Sequence, residues 1–290
     1  MTTPPPRPAG RTGGVDPARR RLRVVDAPGP ETASHATADA TSETTVGREQ
    51  ASGSRRVVEV RYGALLAVCG LCGGAGTTTL AYLIALFAAR DQPGSVLVCD
   101  TGGPSGALAA IAGVTAPRSL IELADVLSAG LPTGSPYAET EDGLRVLACG
   151  PGFTPGCPHL GIERVLERAR AAHALTVVDC GTLTRDADHV VLTRASHIAW
   201  VLPATPGGVR RAERMLEAIN PHRLGRELVI ARCDPRERQA PLTDIKVLAA
   251  QRDATLVMVP RLPDLLEAGA AAALELAQVP LQAILGALLR

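Results

Sequence analysis

Short apolar runs and helical stretches alternate along most of this chain. Residues 62–68 form a nearly unbroken apolar run that reads as a buried strand. Further runs of the same kind cover 95–99, 144–149, 175–178, 197–202, 228–231 and 255–259. Between them, apolar positions recur at helical spacing over 80–90, 117–129, 160–172, 186–195, 206–219, 242–251, 268–276 and 281–289. Strands this short and this apolar, separated by helices, predict an α/β fold: a mostly parallel sheet with helices on both faces. A run over 55–60 predicts an edge strand leading into the first buried one. Residues 131–142 are polar and carry Pro and Gly, so a loop is expected there.

The first 55 residues break from this pattern. They are rich in Pro, Ala, Thr, Ser, Gly and Arg, with only short apolar pieces such as Leu22 and Val24-Val25. Such a segment buries too little surface to offset its ordering entropy, so 1–55 is expected to be a disordered tail and 56–290 a single domain. Arg19-Arg20-Arg21 with Arg23 is a small basic cluster in that tail, either solvated or an arm for an acidic partner.

Composition narrows the chemistry. The formal net charge is +1, so no global field draws the chain to nucleic acid or an anionic membrane. Aromatic residues make up 2%, which argues against base stacking on aromatic platforms. From residue 57 onward there is no basic run, and nucleic acid is not an expected partner of the folded domain. No apolar signal region opens the chain, so a cytoplasmic location is expected. The last helical stretch has one apolar face, Leu281, Ile284, Leu285, Leu288 and Leu289, with only Arg290 as a basic neighbour; packing on the sheet is expected rather than membrane binding. Seven cysteines, mostly at predicted strand ends (Cys69, Cys99, Cys149, Cys180, Cys233), read as reduced structural thiols. Cys69-x-x-Cys72 could be a redox or metal pair, but a lone Cys-x-x-Cys inside a glycine-rich turn is weak evidence; Cys157-Pro-His159 is too sparse for a zinc site, and no structural metal is expected.

The chemistry concentrates between the first buried strand and the following helix, at Cys72-Gly73-Gly74-Ala75-Gly76-Thr77-Thr78-Thr79. A glycine-rich turn between a strand and a helix aims several backbone N–H groups at one point, where the helix N-terminus adds positive potential. The loop resembles the deviant Walker loop of the ParA/MinD family of P-loop ATPases, Lys-Gly-Gly-x-Gly-Lys-Thr-Thr. Gly73, Gly74, Gly76, Thr78 and Thr79 match it. Gly73 to Ala81 is similar to the Gly-Gly-x-Gly-Thr-Thr-Thr-Leu-Ala of the CpaE/TadZ-like pilus-assembly branch. The resemblance extends over about four-fifths of the chain. Asp100 stands at the first aspartate of the family's Asp-x-Asp, a possible catalytic residue. Asp179 stands at the Walker B position, Arg232 at the base-side strand end, and Pro260-Arg261-Leu262-Pro263 at the turn bordering the base.

The resemblance implies Mg-ATP bound by Gly73, Gly74, Ala75, Gly76, Thr77, Thr78, Thr79 and Arg232. Thr78 would ligate magnesium, with Asp179 acting on it through water. It also implies a homodimer that positions a pilus or secretion, septum-site or chromosome-partitioning apparatus through a protein partner. Four departures bear on this. Cys72 replaces the signature lysine, Thr77 the Walker lysine, Gly102 the second aspartate and Arg232 an asparagine. Among 290 residues the one lysine is Lys246, far from the loop. Each missing charge-assisted bond is worth about 1.5–3 kcal/mol. Weak nucleotide binding with little or no hydrolysis is therefore expected, or alternatively a non-catalytic scaffold on the same fold.

Overall fold

The computed structural model describes residues 63–101, 107–115, 119–130, 136–149, 159–220, 225–234 and 241–289, together with the backbone of Val24–Val25. In chain order the strands are β1 (Val24–Val25), β2 (Ala64–Gly70), β3 (Val96–Asp100), β4 (Ala138–Glu139), β5 (Arg145–Leu147), β6 (Leu175–Asp179), β7 (His197–Pro203), β8 (Glu227–Cys233) and β9 (Thr255–Pro260). The helices are α1 (Thr77–Asp91), α2 (Ala107–Ala112), α3 (Leu120–Ser128), α4 (His159–Ala172), α5 (Asp186–Arg194), α6 (Pro206–Glu217), α7 (Leu242–Gln251) and α8 (Leu265–Leu288). The strands form one sheet in the order β1-β9-β8-β7-β2-β6-β3-β5-β4. Every pairing is parallel except β4 with β5.

The expected fold is observed, and the reason lies in the strands. β2, β3 and β6 are buried at every position, because helices cover both faces of the sheet. Alternate residues therefore feed two separate cores. On one face Leu66, Val68, Val177 and Val201 pack with α1 and α8. On the other, Leu65, Ala67, Val178 and Trp200 pack with α3, α4, α5, α6 and α7.

Local signals set several boundaries. Ser119 caps α3: its hydroxyl accepts from Glu122 N at 3.1 Å while Glu122 Oε2 accepts from Ser119 N at 2.6 Å. Thr205 caps α6 by accepting from Gly208 N at 3.0 Å, with Pro206 in the first turn.

Other expectations are corrected. The stretch expected as a loop over 131–142 contains β4, which adds two antiparallel residues to the edge strand β5. A hairpin-like turn permits this, with Gly143 at φ 73° donating its N–H to Thr140 O at 2.9 Å. The two expected terminal helices are one element, α8. Pro280 lies inside it, and the break falls at Gly269 instead, where φ is 75° and ψ 165°. Glycine takes that conformation without a Cβ penalty. The expected apolar face is buried, with Leu281, Ile284, Leu285 and Leu288 at 0–2% exposure in the core shared with α1. By length and composition alone α8 could cross a membrane, but half of its most apolar window is buried in the protein.

Val24–Val25 run parallel to β9 opposite Leu256 and Val257. The rest of the expected tail, the basic cluster, the expected 55–60 strand, Gly102 and Cys157 lie outside the described residues. Among the described residues Cys69, Cys72, Cys99, Cys149, Cys180 and Cys233 form no disulfide. Among the described residues no group of three or more His, Cys, Asp or Glu side chains is arranged to hold a metal.

Candidate functional site

Parallel strands carry their loops to the carboxyl rim of the sheet, and the chemistry gathers there. The loop 71–76 leaves the end of β2 and enters α1. Gly74 and Gly76 have φ of 73° and 82°, so the turn needs glycine at both places. A Cβ on Gly73 or Gly74 would meet nothing within 4 Å, so the front of the loop is open. Gly70, at the end of β2, is different: a Cβ there would collide with the Thr77 hydroxyl. Its small size lets α1 begin directly against the strand. Thr77 itself is buried at 7% exposure.

Two carboxylates flank this loop. β3 and β6 are in register at Asp100 and Asp179, so the aspartates are lateral neighbours at the rim. Thr78 donates its hydroxyl to Asp179 Oδ2 at 2.5 Å, and Gly181 N donates to Asp179 Oδ1 at 3.0 Å. Loop and Walker-B-like strand are thus joined by one short bond across about a hundred residues of chain. Asp100 accepts from Cys149 N at 3.1 Å and so also ties down the end of β5.

Burial pushes the Asp179 carboxyl above the usual range, and Asp188 adds to the rise; the bonds from Thr78 and Gly181 and the charge of Arg185 oppose it. A third buried carboxylate, Asp188, lies close by. It accepts from Thr101 Oγ1 at 2.5 Å and from Arg185 N at 2.9 Å, and Arg185 Nη1 reaches Thr101 Oγ1 at 3.1 Å. Burial likewise raises Asp188. The link between Thr101, Arg185 and Asp188 leaves no local sequence signal, because it depends on how α5 packs against the end of β3.

The oxygen donors suit magnesium. A threonine hydroxyl and a carboxylate are hard ligands, and magnesium keeps much of its water. Thr78 and Asp179 would hold the ion, with Asp179 acting through a water. When bound, the ion would neutralise phosphate charge.

On the other side of the loop lies the end of β8. Arg232 extends from β8 across Gly76 and donates from Nη1 to Ala75 O at 2.8 Å. A Cβ on Gly76 would strike that guanidinium. Arg232 Nε is buried with no hydrogen-bond partner among the described residues. Burial lowers the pKa of Arg232, and Arg261 lowers it further. Next to it is a cavity of about 240 Å³ lined by Gly74, Pro203, Thr205, Arg232, Cys233, Asp234 and Arg261. Arg261 Nη1 and Asp234 Oδ2 form an ion pair of 2.6 Å at its mouth.

Cys72, at the signature-lysine position, is half-buried. Burial raises its thiol pKa, and the nearby charge of Arg211 offsets part of the rise. It is not an activated nucleophile. The structure thus brings Gly73 to Thr79, Asp100, Asp179 and Arg232 to one rim.

A single substitution tests whether Asp179 is kept for function at the expense of stability. Its raised pKa means the folded state holds this proton more tightly than the unfolded chain. The stabilising contribution is complete below the ordinary carboxylate range and is lost as pH rises through the raised value. Asp179→Asn should therefore raise the thermal midpoint of the ligand-free protein at pH 7. The gain should shrink as pH falls toward the carboxylate range, and magnesium-dependent nucleotide affinity should drop several-fold. Calorimetric melts across pH check the first part; an equal gain at every pH would contradict it.

No family model matches the sequence, and no curated protein does either. Solved structures do match in fold. A ParA family ATPase from Chlorobium tepidum TLS superposes with a TM-score of 0.62 at 16% identity, covering 79% of this chain and 99% of that one. MinD in the MinC:MinD cell division complex of Aquifex aeolicus gives 0.60 at 18% identity, covering 77% and 96%. The septum site-determining protein MinD complexed with Mg-ADP, from Pyrococcus horikoshii OT3, gives 0.55 at 14% identity, covering 78% and 94%. With its glycine loop, rim aspartates and strand order, this chain has the fold of the ParA/MinD family of P-loop ATPases.

Proposed function

We infer that this protein is a nucleotide-binding switch of the ParA/MinD type, with little or no hydrolysis. It would dimerise and position a partner protein of a pilus or secretion, septum-site or partitioning apparatus. The observation that carries the reading is the 2.5 Å bond from Thr78 to Asp179. It places a hydroxyl and a carboxylate beside an open turn of backbone N–H groups, a combination suited to a magnesium-bound phosphate.

The residues divide the work. Amides of 73–78 and the α1 N-terminus bind phosphate oxygens; Thr78 and Asp179 orient the ion. Arg232 braces the loop through the Ala75 carbonyl and borders the base cavity. Rapid turnover needs placed positive charge and an oriented water. Asp100 is already bonded to the Cys149 amide, and Thr77 supplies no charge. Hydrolysis is therefore expected to be slow.

The likeness of Gly73 to Ala81 to the pilus-assembly branch favours that apparatus as the client. The second reading is a scaffold that uses the same fold without nucleotide, and the absence of any lysine near the loop favours it. Isothermal titration of the full chain with Mg-ATP and Mg-GTP separates the two. Heat that saturates at micromolar to millimolar ligand is expected. Silence with both at millimolar concentration would leave only the scaffold.

A further inference from the structure

We propose that the groove between the ends of α6 and α7 is the docking site for this chain's own arginine cluster, Arg19-Arg20-Arg21. The groove encloses about 330 Å³. α6 and α7 each run back from the carboxyl rim, so their last turns, which form the groove, lie at the opposite, amino edge of the sheet. Leu216, Ile219 and Leu248 give it an apolar wall, and the exposed Glu213 and Glu217 border it.

The groove carries net negative charge. Glu213 and Glu217 are four residues apart, so both carboxylates project from one face of α6. Among the described residues no hydrogen bond or ion pair engages either of them. Like charges at that spacing repel, and a cation between them relieves the repulsion. Arg252 also lines the groove, but both oxygens of Glu227 neutralise its guanidinium. An arginine suits the whole lining. Its fork binds carboxylates in pairs of hydrogen bonds, while its methylene stem lies on apolar surface.

The topology brings the arginines to this place. Four of the five residues 19–23 are arginine, and Val24 follows directly. Val24 and Val25 pair in parallel with Leu256 and Val257. The chain before Val24 therefore arrives at the edge from which β9 is entered, and β9 is entered from the end of α7. Arg252 stands four residues before Leu256, and Arg20 stands four residues before Val24. An extended chain advances about 3.3 Å per residue, which puts Arg21 to Arg19 within roughly 10–17 Å of Val24 and the groove beside Arg252 within their reach. Two paired residues make a short strand. The docked arginines would anchor it along β9 and shield that edge from pairing with another chain.

The test is timed trypsin cleavage of the full chain, with the fragments read by mass spectrometry. Cleavage after Arg19, Arg20 and Arg21 should be at least about tenfold slower than after Arg11, because cleavage follows the population of the undocked form. Glu213→Gln combined with Glu217→Gln should bring the cluster to the Arg11 rate, and so should salt at about 0.5 M. Both positions are exposed, so the fold should survive, and the thermal midpoint checks it. Glu267→Gln combined with Glu275→Gln removes the same charge from α8 and should leave the cluster protected. Equal rates at Arg11 and at the cluster in the unaltered protein would overturn the docking, as would protection that survives Glu213→Gln with Glu217→Gln. Protection that grows with protein concentration would place the arginines in the groove of a second copy and overturn the assignment to the same chain.

Discussion

Replacing Arg252 by alanine is expected to destabilise the protein by about 3–5 kcal/mol without touching the candidate site. Arg252 is 7% exposed and sits at the end of α7. Its Nε and Nη2 donate to both oxygens of Glu227, at 2.8 and 3.0 Å. Nη1 donates to Leu216 O and Ile219 O at 3.2 and 2.6 Å, satisfying carbonyls at the end of α6. Glu227 also accepts from Trp200 Nε1 at 2.7 Å, and the guanidinium carbon lies 5.7 Å from the Trp200 ring centroid.

Alanine would strip the guanidinium from a carboxylate buried at 2% exposure and leave a cavity beneath the α6–α7 junction. The melting temperature should fall by roughly 10 °C, at about 2–4 °C per kcal/mol for a domain of this size. Neutralising both partners separates the charge from the packing. Arg252→Met combined with Glu227→Gln keeps an acceptor for Trp200, and should recover a large part of the loss. Glu227 begins β8, whereas Arg232 lies at its far end, so nucleotide affinity of the folded variant should not change. A loss below 1 kcal/mol for Arg252→Ala would show that water replaces the guanidinium at little cost.

This network also shows where the sequence stops being informative. The buried strands were legible because parallel sheets leave unbroken apolar runs, and the loop because glycine, threonine and a following helix leave a local pattern. Asp179 was legible as an acidic residue closing an apolar strand. Arg252, Glu227 and Trp200 leave no such trace, since their contact depends on strand order and register. The same holds for Thr101 with Asp188, and for Arg232 on the Ala75 carbonyl, 157 residues away in sequence. Separate helices were expected over 268–276 and 281–289, yet the chain stays helical through Pro280 and breaks at Gly269. Buried contacts hold the segment around Pro280 helical through Leu274, Ala277 and Leu281, a tertiary effect that local propensity does not contain.

Restoring the lysine that this loop lacks should tighten nucleotide binding by about ten- to a hundredfold. Thr77→Lys would add one charge-assisted bond to phosphate, worth about 1.5–3 kcal/mol. Thr77 opens α1, and its hydroxyl lies against Gly70. A lysine stem cannot stay in that contact and must turn toward the open front of the loop, where Gly73 and Gly74 leave space. Without ligand the ammonium gains no designed partner and stands near the positive Arg232, so the empty variant should be slightly less stable than the parent. With nucleotide the order should reverse, because binding stabilises by RT ln(1 + [L]/Kd) and Kd has fallen. The crossing of the two melting curves is the distinctive result, since a lysine with no access to phosphate would lower stability with and without ligand alike. Unchanged affinity in a well-folded Thr77→Lys protein would mean that phosphate does not sit over this turn. In that case the Thr78–Asp179 pair is simply a structural clasp between α1 and β6.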